Sequence, residues 1–67
     1  MRTRYRVYFP TQQAIEFWAC EWEFFEHNPR AIKCWSSEDK TMPSVDIEFH
    51  ETPILIQDLD GNTVWEI

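Results

Sequence analysis

At the start of the chain, Thr3, Tyr5, Val7 and Phe9 alternate with Arg2, Arg4, Arg6 and Tyr8. A strand sends successive side chains to opposite faces, so this period of two predicts a half-buried strand with arginines outward. The carboxyl-terminal third alternates in the same way. Asp60-Gly61, between Leu59 and Asn62, predicts a two-residue hairpin, because a type I′ turn needs positive φ at both central positions. Centred there, the turn pairs Asp58 with Thr63, Ile56 with Trp65 and Ile54 with Ile67. A four-residue connection, His50-Glu51-Thr52-Pro53, would set Phe49 against Ile54 and Ile47 against Ile56. Val45, Ile47, Phe49, Ile54, Ile56, Trp65 and Ile67 then share one apolar face, which a slip of one residue would scatter. The expected element is a three-stranded meander. Asp46 and Glu48, outward on its first strand, are natural cross-strand partners for the arginines.

Residues 12–28 admit two readings. As a helix, the segment has Thr11 after Pro10 as an N-cap and Asn28-Pro29 as a stop. Ile15, Trp18, Ala19, Trp22 and Phe25 would share one face, leaving Phe17, Cys20 and Phe24 elsewhere on the wheel. As strands, a hairpin turning at His27-Asn28-Pro29 pairs Trp22 with Cys34, Glu23 with Lys33 and Phe24 with Ile32. Its inward set changes from Ile15, Phe17 and Ala19 to Cys20, Trp22 and Phe24, which demands a bulge near Ala19-Cys20. The helix is the expected form. With Arg30–Ser36 as a strand and Ser37–Ser44 as a polar loop, the order is β-α-β-β-β-β. The expected fold is α+β, a single helix over about 12–28 packed on a mainly antiparallel sheet. The alternative is an all-β roll.

Length changes the picture next. Sixty-seven residues fit one domain, 1–67, whose core must be compact to offset chain entropy. Four Trp, five Phe and two Tyr supply that core. No apolar run approaches the roughly 20 residues of a membrane span, and no apolar stretch follows the basic start as in a secretory signal. The expectation is a cytoplasmic chain with reduced thiols, a Cys20–Cys34 disulfide staying open as the alternative.

Twelve acids against six bases leave a net charge of −6. Nucleic-acid phosphates and anionic membranes repel such a chain, so neither is an expected direct partner. A basic protein suits it. Arg2, Arg4 and Arg6 with Tyr5 and Tyr8 are the nearest thing to a nucleic-acid patch, and pairing with the abundant acids accounts for them better.

Cysteine, histidine and carboxylate chemistry adds little. Cys20, His27, Cys34 and His50 are separated by six, six and fifteen residues, with no close ligand pair of the zinc type. Cys20 lies among Glu16, Glu21 and Glu23, which oppose thiolate formation. Asp58-Leu59-Asp60-Gly61-Asn62 lacks the glutamate that completes a calcium loop, and a hairpin turn explains it. No cofactor, metal or catalytic residue is expected, and the chain is not expected to be an enzyme.

Two surfaces carry the functional expectation. On the helical reading, Phe17, Cys20 and Phe24 form an exposed aromatic stripe that docks a protein, including a second copy of the chain. Glu16, Glu23, Glu26, Asp46, Glu48 and Glu51 form an acidic patch for a basic partner. The expected function is a small acidic protein-binding module or inhibitor. The alternative is an acidic inhibitor that imitates nucleic acid, of the kind phage and mobile elements carry.

Overall fold

The computed structural model describes residues 2–67, which form seven strands and no helix. In chain order these are β1 (Thr3–Tyr8), β2 (Ile15–Ala19), β3 (Glu21–Phe25), β4 (Asn28–Trp35), β5 (Val45–Glu48), β6 (Leu55–Asp58) and β7 (Thr63–Glu66). They make two antiparallel sheets, one ordered β2-β1-β6-β7 and the other β3-β4-β5. The α+β expectation is overturned, and the all-β alternative describes the molecule.

The helix fails for a reason already visible in its wheel. Residues 15–19 and 21–25 are two strands joined at Cys20, and the chain passes there from one sheet to the other. The change of inward parity at Ala19-Cys20 is therefore a corner. Cys20 N–H donates to the Trp35 carbonyl at 2.8 Å, tying the corner to the end of β4. Ile15, Phe17 and Ala19 face the core from the first sheet, and Trp22 and Phe24 face it from the second. A helix would have buried Ile15, Ala19 and Trp22 and left Phe17 and Phe24 off its buried face. Two strands bury both, and aromatic and β-branched residues suit the pleated surface.

The β3–β4 hairpin has the register of the strand reading: Trp22 opposite Cys34, Glu23 opposite Lys33 and Phe24 opposite Ile32. Its turn is tighter than the expected loop, since Phe25 pairs with Asn28 after an irregularity between Phe24 and Phe25. The Asn28 side chain accepts from Arg30 N–H at 3.1 Å and steadies the far side of the turn.

The carboxyl-terminal meander is corrected first in its strand pairing. β6 and β7 pair, with Ile56 opposite Trp65, but β5 does not pair with β6. β5 lies against β4, and β6 lies against β1 with Val7 opposite Ile56. Phe49 still points inward, from across the sandwich, where it meets Phe9 edge-on at 5.3 Å. Buried Pro53 and a bond from Ile54 N–H to the Tyr8 carbonyl (2.9 Å) guide the crossing between sheets.

The turn after β6 has three residues, Leu59-Asp60-Gly61. Asp58 Oδ1 accepts from Asp60 N–H (3.0 Å) and Asn62 N–H (2.9 Å), and Gly61 N–H reaches the Asp58 carbonyl (3.1 Å). Only Gly61 there has positive φ, at 84°, so a type I turn closed by a left-handed glycine replaces the type I′ turn. The resulting bulge sets Gln57 opposite Thr63, in place of the expected Asp58–Thr63 pair.

Val7, Ile32 and Ile56 are fully buried at the centre of the core, with Phe9, Phe17, Ala19, Cys34 and Phe49 around them. An aromatic chain links the sheets: Tyr5–Phe17 at 5.2 Å, Phe17–Trp22 at 6.1 Å, Trp22–Phe24 at 5.5 Å and Phe24–Trp65 at 4.8 Å. Each such pair adds about 0.5–1.5 kcal/mol beyond burial, which matters in a chain with so small a core.

Candidate protein-binding surfaces

The outer face of the β2-β1-β6-β7 sheet carries the arginines. Their partner is Glu16 on β2, directly opposite Arg6, and not Asp46 or Glu48. Arg6 donates to Glu16 Oε2 through Nε at 3.0 Å and Nη2 at 2.6 Å, while Arg4 Nε stands 3.8 Å from Oε1. The Arg4 guanidinium also covers the Trp18 ring at 5.7 Å. A shallow depression of about 190 Å³ beside this network is lined by Tyr8, Gln57, Asp58 and Leu59 together with the arginines. Much of its charge is satisfied internally.

The outer face of β3-β4-β5 is different. Register places Glu21 opposite Trp35, Glu23 and Asp46 on either side of Lys33, and Glu48 opposite Ala31, all on one face. Lys33 extends over the Phe25 ring at 5.0 Å, and Lys40, from the following loop, over the Trp35 ring at 4.4 Å. Neither ammonium lies within 4 Å of a carboxylate among the described residues. Glu21, Glu23, Asp46 and Glu48 are exposed and make no ion pair with a described residue. The face is thus a rim of carboxylates around two lysine-capped rings.

The six carboxylates expected as one patch separate accordingly. Glu23, Asp46 and Glu48 share this face, and Glu26 sits at the β3–β4 turn, 3.5 Å from His27. Glu16 belongs to the arginine network on the other sheet. Glu51 holds the loop after β1, accepting from Thr11 N–H (3.1 Å), Thr11 Oγ1 (2.7 Å) and Gln12 N–H (2.5 Å). The aromatic stripe has no counterpart at the surface. Phe17 is buried and Phe24 packs on Trp22 and Trp65. Cys20, half-buried at the corner, donates its thiol to the Ser36 carbonyl at 3.1 Å. Cys20 and Cys34 are unbridged.

Glu21, Phe25, Lys33 and Trp35 went unnoticed as members of a surface. The signal was the Glu23–Lys33 pairing of the strand reading, which brings Glu21 beside Trp35 two residues on. Among the described residues, no group of three or more His, Cys, Asp or Glu is placed to hold a metal ion.

Two of these six carboxylates, Glu16 and Glu51, are engaged in a way that has a pH consequence. Arg6 hydrogen bonds hold Glu16 below its ordinary value of 4.5, and the Thr11 hydroxyl, with the Gln12 amide, does the same for Glu51. A depressed folded-state value contributes stability above the unfolded value, lost as pH falls through the folded one. The urea midpoint is therefore expected to fall as pH drops through and below 4.5, the ordinary value of both groups. Glu51→Gln should flatten part of that slope; an unchanged slope would remove Glu51 as a contributor.

Comparison with known proteins found no matching family model, no matching curated protein and no matching solved structure.

Proposed function

We propose that this domain is a protein-binding module whose contact face is the outer side of β3-β4-β5, and that its partner is basic. The observation that supports this most is the unequal use of charge on the two sheets. Arg4 and Arg6 are engaged by Glu16, whereas Glu21, Glu23, Asp46 and Glu48 stay exposed around Trp35 and Phe25. Exposed carboxylates steer a cationic partner, and the rings beneath Lys33 and Lys40 supply area for contact once those lysines swing aside. Imitation of nucleic acid is less well supported. It calls for an unbroken acidic row, and Lys33 stands between Glu23 and Asp46.

The test is capture of partners on immobilised wild type and on Glu23→Lys/Asp46→Lys. A basic protein should be retained by wild type, released between about 50 and 200 mM salt, and lost from the variant. Equal retention by both, indifferent to salt, would overturn the reading.

A further inference from the structure

β5 is an edge strand, hydrogen-bonded to β4 on one side only. Its core-side residues are Val45 and Ile47, opposite Cys34 and Ile32. Ile47 packs on the core, but Val45 is 65% exposed, although it shares a row with buried Cys34. An apolar side chain on the inner face of a sheet is ordinarily covered. Here the sheet ends at β5 and leaves it open to solvent. The unpaired side of β5 presents backbone N–H and C=O groups that a further strand can use.

We infer that β5 is completed by an extended segment of the partner with Lys or Arg at alternate positions and Val or Ile between them. This rests on the basic-partner reading above and specifies how that partner is held. An added strand would set its outward residues beside Asp46 and Glu48 and its inward residues beside Val45 and Ile47. Directly opposed residues on paired strands interact, and opposite charges there attract. The same register argument selects against self-pairing. Two β5 strands side by side would bring carboxylates against carboxylates, and like charges opposite one another repel. The chain's own alternating basic segment, Arg4–Tyr8, already lies between β2 and β6. Beyond Glu48, a polar depression of about 270 Å³ lined by Asn28, Arg30, Phe49 and His50 gives the incoming strand room to leave.

The experiment uses the full chain and four synthetic peptides. One alternates Lys and Val, two are the same peptide N-methylated at every second residue in opposite phase so that one edge or the other cannot donate, and one alternates Thr and Val. Binding is measured by titration, and amide exchange of the protein is followed by NMR. The Lys-Val peptide is expected to slow exchange at alternate β5 amides. Its affinity should fall about tenfold or more on Asp46→Lys/Glu48→Lys, and the better of the two N-methylated peptides should still bind while the other fails. Two results overturn strand addition. In the first, both N-methylated peptides bind as well as the parent, which leaves the basic-partner reading standing. In the second, the Lys-Val peptide leaves the β5 amides unprotected. If the Thr-Val peptide binds and protects β5 as well as the Lys-Val peptide, the charge preference fails and the open edge remains.

Discussion

Phe17→Ala should cost about 3–5 kcal/mol, while Trp18→Ala, one residue along, should cost less than about 1 kcal/mol. Phe17 is 5% exposed, stacked on Tyr5 and edge-on to Trp22, so truncation removes a large buried ring and leaves a cavity. Trp18 is 56% exposed on the opposite face and gives up little more than its contact with Arg4. A 67-residue domain has a total stability of about 3–10 kcal/mol, so the first substitution removes a large share of it or all of it. Urea titration of both variants, followed by far-ultraviolet circular dichroism, measures the difference. The contrast also discriminates folds, because a helix over this segment would bury Trp18 and expose Phe17. A variant order with Trp18→Ala the more damaging would reverse the assignment of faces along β2.

Alkylation of Cys34 in the folded protein is expected to be about a hundredfold slower than that of an ordinary thiol at the same pH. Burial, with the Asp46 carboxylate adding to it, pushes the Cys34 thiol from 9.0 up to about 11. The nucleophile is the thiolate, and raising the value by about two units lowers its population about a hundredfold at mildly alkaline pH. The sulfur is also buried between Trp22 and Val45 in the cross-strand register, which restricts access further. Peptide mapping after timed treatment with iodoacetamide would locate the adduct. Label should accumulate on Cys34 slowly in the native chain and rapidly as urea unfolds it, and Asp46→Asn should speed the native reaction modestly. Rapid native labelling of Cys34 would mean that the β4–β5 pairing opens readily. That would bear directly on how β5 accepts another strand.

The strands nearest the chain ends were legible because their signals are local. Thr3, Tyr5, Val7 and Phe9 alternate without interruption, and Tyr5, Val7 and Phe9 do turn inward. Ile56 opposite Trp65 also stands as expected. The turn between them was less legible. Asp58 can hold the Asp60 and Asn62 amides, and this side-chain preference shifts the turn by a residue without moving the strand that follows. Within residues 12–28, the pairing of Trp22, Glu23 and Phe24 was readable once strands were considered, whereas the choice between helix and strands was not. Spacing at Ile15, Trp18, Trp22 and Phe25 matches a helical stripe by coincidence of a strand pair bent at Cys20. Of the acidic surface, Glu23, Asp46 and Glu48 lie on one face of β3-β4-β5. Alternation reports the side for Asp46 and Glu48, whereas Glu23 was expected on a helix and comes to that face through the β3–β4 pairing. Glu16 and Glu51 were misplaced, because their partners, Arg6 and Thr11, lie ten and forty residues away.

By itself, the order of residues determined the inward and outward faces of the terminal strands, the hairpin joining β6 to β7, and an interior built from aromatic rings. Tertiary structure alone decided that the middle of the chain is extended, that β5 joins β4 and not β6, and that two carboxylates serve loops and arginines. The physical reason is that alternation fixes a side chain's direction but not its neighbour. Ile47 and Ile56 point at the same core whether their strands lie side by side or face each other across it. Only the competition among all strands for backbone partners, resolved at the Cys20 corner and the Pro53 crossing, separates those arrangements.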